Sequence, residues 1–257
     1  MPAQTQSRRI FVAGATGFLG TGVVYALLQA GAEVTALIPP GAAFRLHDPE
    51  GQVRLVEGDA WNPGSLTGRS RGHDAVIHLI GSMHQQPSRG LTYTHLNFTS
   101  LHNITRMAIG DGVHRVLFLS AAGAPWIPGD YIESKREAER YLHRSGVAWT
   151  IIRAPLVYPR GRLQNPLLIL MALLGAIPLL GRPFTRWAPL PVDVAARGIA
   201  GLALDSTRRN QTVYGHTLRQ ISQQQRREYA QAVSPGLSEH RLSSHAPEEE
   251  PPFGWLP

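Results

Sequence analysis

The chain has 257 residues, 43% of them hydrophobic and 17% charged, a composition that suits one sizeable α/β domain with a buried core. It carries no cysteine, which excludes disulfides, thiolate–zinc sites and thiol catalysis. Its net charge of +7, from 25 basic and 18 acidic residues, favours anionic ligands, but the arginines are scattered without a nucleic-acid-binding motif, so nucleic acid is not an expected partner.

The first stretch, Met1–Arg9, is polar and holds no apolar signal core, so a cytoplasmic location is the expectation. From there short β-branched runs alternate with longer amphipathic ones. Ile10–Ala13 reads as a strand and Phe18–Ala30 as a helix. Glu33–Ile38, Val53–Glu57 and Ala75–Leu79 read as strands, Tyr93–Asp111 as a helix and Arg115–Ser120 as a strand. Tyr131–Ser145 is a helix and Ala148–Arg153 a strand. This alternation predicts a parallel sheet with helices on both faces. The strand cores, such as Val116-Leu-Phe-Leu119, are continuous apolar runs, as a strand covered on both sides requires.

After Pro155 the pattern changes. Asn165–Gly181 is rich in leucine and interrupted by Pro166 and Pro178, too short and broken to span a bilayer, which takes about 20 apolar residues. Two readings stay open for it. One is a buried helix over a cleft; the other is an apolar lid, flanked by Arg160, Arg162, Arg182 and Arg186, that makes peripheral contact with the inner face of a membrane. Val192–Leu204 reads as a helix, Gln211–Tyr214 as a strand and Leu218–Val233 as a polar helix. Residues 1–155 form the expected core and 156–233 a small C-terminal cap. Residues 234–257, rich in Pro, Glu and Ser, form an expected flexible tail.

Gly14, Gly17 and Gly20 stand where the first strand turns into the first helix. Such a triplet permits a tight turn, close backbone approach to a pyrophosphate, and close packing of helix on sheet. The helix N-terminus then presents free N–H groups and a positive dipole end to phosphates. Because this loop opens a long βα alternation, the expectation is an α/β fold of the Rossmann type, a doubly wound parallel sheet binding a dinucleotide. The second strand ends Leu37-Ile-Pro-Pro40 without a carboxylate to hold ribose hydroxyls, and Arg45 is the nearest charge. That predicts NADP(H) in preference to NAD(H). Asp59, after the third strand, is placed to hydrogen-bond the adenine.

Tyr131 and Lys135 lie four residues apart, on one face of a helix. An ammonium beside a phenol favours the phenolate and lowers the tyrosine pKa, so Tyr131 is expected to exchange a proton with a carbonyl or carbinol oxygen. Lys135 is also the only lysine in the chain. A site that needs a compact ammonium excludes arginine, whose guanidinium is a bulky fork that never deprotonates.

Gly14-Ala-Thr-Gly17-Phe-Leu-Gly20, Gly58-Asp59, Val76-Ile-His-Leu-Ile-Gly81, Asn97, Tyr131-Ile-Glu-Ser-Lys135 and Arg153-Ala-Pro155 together resemble the extended and atypical short-chain dehydrogenases/reductases. Within that superfamily the likeness is to the atypical group of the nucleotide-binding accessory subunit of respiratory complex I. It covers residues 8–215, strongly up to Pro155 and loosely after it. The resemblance implies a cofactor site lined by Gly14, Thr16, Gly17, Phe18, Leu19, Gly20, Arg45, Asp59, Ala60, Leu79, Gly81, Lys135 and Pro155. It further implies Tyr131 as acid/base, Lys135 as its tuning and ribose-holding partner, and a hydroxyl after the fifth strand. There the chain departs from the pattern: Ser120 is present, but Ala121 occupies the place of the usual second hydroxyl.

Three activities remain open on these residues. The first is an NAD(P)-dependent oxidoreductase acting on the carbonyl or hydroxyl of an apolar small molecule, a lipid or a quinone. The second is a catalytically weak, NADP(H)-bound structural or assembly protein, a reading that Ala121 favours. The third is a sugar-nucleotide epimerase or dehydratase, disfavoured by the short interval from Ser120 to Tyr131.

Overall fold

The computed structural model describes residues 7–43, 46, 48, 51–159 and 187–233. Arg45, the Leu-rich stretch with its flanking arginines, and the C-terminal tail lie outside the described residues.

The elements follow the order β1 (Arg9–Ala13), α1 (Phe18–Gln29), β2 (Glu33–Ile38), β3 (Val53–Glu57), α2 (Pro63–Leu66), β4 (Ala75–His78), a π-helical turn (Thr94–Thr99) running into α3 (Ser100–Gly110), β5 (Arg115–Ala121), α4 (Gly129–Arg144), β6 (Ala148–Ala154), β7 (Val157–Tyr158), β8 (Leu190–Pro191), α5 (Val192–Leu204), β9 (Gln211–Tyr214) and α6 (Gly215–Val233). Seven strands form one sheet in the order β3-β2-β1-β4-β5-β6-β9. Every pairing in it is parallel. The chain reverses its direction of travel across the sheet between β1 and β4, and in a doubly wound sheet this switch point is where ligands bind. The Rossmann-type α/β fold read from the sequence is therefore the fold of the protein.

Each face of the sheet has its own apolar layer. Ile10, Val12, Ile77, Leu117 and Ile152 meet α1 and α5 through Val23, Leu27, Ala195 and Ile199. Phe11, Val76, Val116, Phe118 and Ile151 meet α3 and α4 through Leu101, Ile104, Ala138 and Leu142. Two covered faces explain why the strands lack polar alternation.

The C-terminal region is part of this body. β9 extends the sheet beside β6, in the register Arg153↔Tyr214. Two glycines let α5 and α6 touch at backbone distance: a Cβ at Gly198 would lie 2.7 Å from the Leu218 carbonyl oxygen, and one at Gly201 would collide with Ile221. β7 and β8 pair in parallel and bring the end of the β6 segment alongside residues 190–191.

At the opposite end of the sheet, Arg115 is 3% exposed. Its guanidinium donates to the carbonyls of Leu202 (2.6 Å), Ala203 (3.5 Å) and Asp205 (2.7 Å), and to Thr150 Oγ1. These are terminal carbonyls of α5, which have no partner within the helix. Arg115→Met should keep the volume and orphan the carbonyls of Leu202 and Ala203. The expected loss is about 2–3 kcal/mol of unfolding free energy, measured by urea denaturation. A variant as stable as the parent would show that water replaces the guanidinium at no cost.

Candidate functional site

The phosphate loop sits at the switch point. Gly14 has φ +91°, a left-handed conformation that favours glycine, and a Cβ there would lie 3.0 Å from the backbone of Leu79 and Ile80. A Cβ at Gly20 would strike the Gly14 carbonyl oxygen and come within 2.9 Å of the Ala15 Cα. Gly20 is thus required by the packing of α1 on β1. Gly17 differs, because a Cβ there would meet only the Gly14 oxygen at 3.4 Å, an ordinary contact. The fold leaves Gly17 room for a side chain, so its lack of one leaves space for a ligand.

Gly17 caps α1 without a side-chain hydrogen bond, and no acidic residue stands in the first turn. The first-turn N–H groups therefore face outward with no built-in anion. Thr16 Oγ1 is buried and has no hydrogen-bond partner, a cost that a ligand oxygen would relieve. Phe18 is exposed, Leu19 half-buried and Gly20 buried. These features fit a dinucleotide pyrophosphate.

The other expected cofactor contacts fall along the same edge. The Asp59 carboxylate accepts the Trp61 N–H (2.9 Å), and the buried Ala60 accepts a hydrogen bond from Asn103 Nδ2 (3.1 Å). Leu79 N–H donates to Ala13 O (2.9 Å), which locks the end of β4 to β1. Pro155 is buried against Gly215. One carboxylate near the end of β2 escaped the sequence reading. Glu57, on β3 in register with Ile38, accepts the Gly41 N–H at 3.1 Å. Nothing in a linear pattern links positions 41 and 57.

Gly81 marks the meeting point of the loop after β4 and the Tyr131–Lys135 pair. A Cβ at Gly81 would lie 2.6 Å from Asn97 Oδ1 and 2.7 Å from Lys135 Nζ. The π-helical turn turns Asn97 inward. There Oδ1 accepts the Ser82 N–H, while Nδ2 donates to Ser82 O and to Ser134 Oγ. Ser134 Oγ in turn donates to Tyr131 O at 2.8 Å. The loop after β4 is thereby tied to the first turns of α4.

Tyr131 and Lys135 share the inner face of α4, both less than a tenth exposed. Lys135 Nζ donates to Leu119 O (3.1 Å) and sits 5.0 Å from the Phe118 ring centroid and 6.0 Å from that of Tyr131. Tyr93 packs edge-on against Tyr131 at 5.7 Å, its own hydroxyl donating to Met83 O. His78 is fully buried, its ring 5.6 Å from that of Phe118. Its Nε2 meets Ser100 Oγ at 3.1 Å, and since that hydroxyl donates to Leu96 O, the Nε2 carries the proton.

The electrostatics reverse one expectation. Burial pushes the Tyr131 phenol up to about 12, Tyr93 adds to the rise, and Arg136 opposes it. Burial pushes Lys135 down to about 7, opposed by Glu139. Spacing alone suggested an ammonium that lowers the phenol pKa. In the folded chain both groups are desolvated, and desolvation favours the neutral form of each. Tyr131 is therefore a protonated phenol at neutral pH. Burial, then Lys135, pushes His78 down to about 3, so it is neutral.

Ser120 bonds to α4 one turn beyond this pair. Its hydroxyl donates to Glu139 Oε1 (2.5 Å) and accepts from Arg136 Nη1 (3.2 Å). Glu139 is buried and also bridges to Arg136 (2.5 Å) and to Arg153 (2.6 Å). Arg153 Nη1 reaches Tyr214 Oη at 3.2 Å. The one proton of Ser120 is committed to a carboxylate that sequence reasoning missed, although Glu139 continues the stripe of Tyr131 and Lys135 at the same four-residue spacing.

A doubly wound sheet with a glycine loop at its switch point and a buried Tyr–Lys pair beside it defines a nicotinamide-dinucleotide-binding protein. The chain belongs to the NAD(P)H-binding family, whose model matches residues 14–162, and the resemblance to short-chain dehydrogenases/reductases is borne out. It is 28% identical over 211 residues to the mitochondrial NADH dehydrogenase [ubiquinone] 1 alpha subcomplex subunit 9 of Arabidopsis thaliana, covering 78% of this chain and 52% of that protein. It is 27% identical over 191 residues to ceramide reductase of Caulobacter vibrioides, covering 73% and 58%. The chain thus spans a little over half the length of these relatives. Among solved structures, UDP-glucose 4-epimerase of Thermus thermophilus in complex with NAD superposes with a TM-score of 0.57 at 22% identity, covering 86% of this chain and 83% of that one. A wide-type short-chain dehydrogenase/reductase of Veillonella parvula in complex with NADP gives 0.56 at 16% identity, covering 77% and 88%.

The glycine geometry generates a contrast. Gly17→Val should leave the melting temperature without cofactor nearly unchanged and abolish the rise produced by saturating NADP(H), because its branches fill the space open to the pyrophosphate. Gly20→Ala should lower the melting temperature even without cofactor. Differential scanning fluorimetry measures both, and a full cofactor-induced rise in Gly17→Val would exclude this loop as the binding site.

Proposed function

We propose that the protein is an NAD(P)-dependent oxidoreductase of the atypical short-chain dehydrogenase/reductase type, acting on the carbonyl or hydroxyl of an apolar small molecule. The observation that carries this reading is the buried Tyr131–Lys135 pair beside Gly81, with Lys135 Nζ 2.7 Å from where a Cβ of Gly81 would stand. The glycine loop and Thr16 hold the pyrophosphate, and Gly81, Lys135 and Pro155 line the nicotinamide end. Bound there, the nicotinamide supplies or accepts a hydride. Tyr131, protonated at neutral pH, donates its proton to the substrate oxygen in reduction and takes it back in oxidation. Lys135 holds the ribose and, when charged, favours the phenolate left behind. With Ser120 engaged by Glu139, polarising the oxygen falls to Tyr131 and to backbone N–H groups.

Exposed apolar side chains follow the C-terminal ends of three strands: Met83 after β4, Trp126 after β5 and Leu156 after β6. Trp187 packs edge-on against Trp126 at 5.7 Å and donates to Gly123 O. These side chains support a substrate with a hydrocarbon body, and the likeness to a ceramide reductase points the same way. Among the described residues no helix is long and apolar enough to cross a membrane; a lipid substrate suits peripheral contact of the Arg-flanked leucine stretch with an anionic membrane face. A second reading, an NADP(H)-bound assembly subunit with little turnover, draws on Ala121 and on the likeness to a respiratory-complex subunit.

For the cofactor, NADP(H) is the reading that the carboxylate-free end of β2 and the sequence position of Arg45 support. Glu57 favours NAD(H) instead, since a carboxylate beside Gly41 repels a 2′-phosphate and accepts from ribose hydroxyls.

Two measurements decide these points. Tyr131→Phe should leave NADPH affinity within about twofold and lower the rate of nicotinamide oxidation with long-chain ketones or quinones by about 10²-fold or more. Parental rates, or full rescue of a deletion strain by this variant, would promote the assembly reading. Calorimetric titration of both cofactors should show tighter NADP(H) binding, and Glu57→Gln should raise the ratio of NADP(H) to NAD(H) affinity. Tighter binding of NAD(H) by the parent, lost in that variant, would make Glu57 the selector of NAD(H).

A further inference from the structure

The surroundings of Lys135 pose a question of charge. Its ammonium is buried with one acceptor, the Leu119 carbonyl. The groups facing it from neighbouring elements are the Phe118 ring on β5, neutral His78 on β4, Asn97 on the π-helical turn and the Tyr131 phenol on α4, itself packed on Tyr93. None of these is negative at neutral pH. A buried ammonium is unfavourable unless paired. Among the described residues the carboxylate that acts on it is Glu139, one turn along the same face of α4 and 2% exposed.

Glu139 is itself held from three directions. Ser120 on β5 donates to Oε1 at 2.5 Å, Arg136 on α4 reaches the same oxygen, and Arg153 on β6 takes both oxygens at 3.1 and 2.6 Å. Arg136 also donates to Ala121 O at 2.9 Å. The carboxylate fixes the rotation of α4 against two strands, and so the direction in which Tyr131 and Lys135 point.

We propose that Glu139 is a positioning residue of the Tyr131–Lys135 site: clamped by Ser120, Arg136 and Arg153, it orients the helix that carries the pair and supplies the counter-charge that favours the ammonium form of the buried lysine. The inference rests on the reading of Tyr131 and Lys135 as working groups, but its test does not use turnover.

Because Lys135 is the only lysine, isotopically labelled lysine places a single reporter in the full chain, and its NMR shift against pH gives the titration directly, without cofactor. The parent should titrate at about 7. Glu139→Gln should lower that midpoint by about one pH unit or more. NADPH affinity at neutral pH should fall in the variant and recover as the pH is lowered. A merely structural clamp predicts the opposite, since loosening α4 admits water and raises the midpoint; an unchanged or raised midpoint would overturn the proposal. If Glu139→Gln does not fold, Arg136→Gln serves, since it removes a partly exposed cation from the carboxylate. Its midpoint should rise, and no movement would likewise overturn the proposal. A silent Tyr131→Phe would remove the oxidoreductase reading while leaving this titration as measured, so the two failures are separable.

Discussion

The contact between Glu139 and its two arginines joins α4 to the sheet. Burying a carboxylate costs several kcal/mol unless it is paired and hydrogen-bonded. Here Arg136, Arg153 and Ser120 meet that requirement. Through Arg153 the contact reaches Tyr214 on the edge strand β9. Four elements are thus held at one point just beneath the C-terminal ends of β5 and β6. The positions of Tyr131 and Lys135 follow from that junction more than from the local preference of their helix.

The loop after β4 is the other half of the site, and Asn97 fastens it. By pairing with both backbone polar groups of Ser82 and with Ser134, it joins the loop after β4 to α4. Gly81 lies between the two halves with no room for a side chain. The loop after β4 and the Tyr131–Lys135 helix are therefore joined into one construction beside the switch point.

Much of this was legible in the chain itself. The strands were recognisable because a doubly covered parallel sheet writes itself as continuous apolar runs, and Glu33–Ile38 and Val192–Leu204 form with the expected bounds. The glycine loop and the Tyr–Lys stripe were legible because their chemistry is local, set by a turn and by one helical period. What stayed hidden depends on distant partners. Ser120 was a candidate hydroxyl until Glu139, nineteen residues on, took its proton. Glu57 matters through Gly41, which it meets only once β2 and β3 pair. The phenol's pKa was misjudged in sign because spacing conveys the proximity of a charge but not the loss of water around it. The short β7 and β8 owe their pairing to an encounter across the chain rather than to any pattern within either.

The glycine-lined contact of α5 with α6 has a mechanical meaning. At Gly198 α5 meets the backbone of Leu218 on α6, and at Gly201 it meets the side chains of Ile221 and Gln225; β9, between the two helices in the chain, is hydrogen-bonded into the main sheet. Shear between helices needs an interface that can slip by small rotamer changes, and the backbone contact at Gly198 offers none. The C-terminal helices therefore move with the sheet as a single block rather than swinging over the cleft on a hinge.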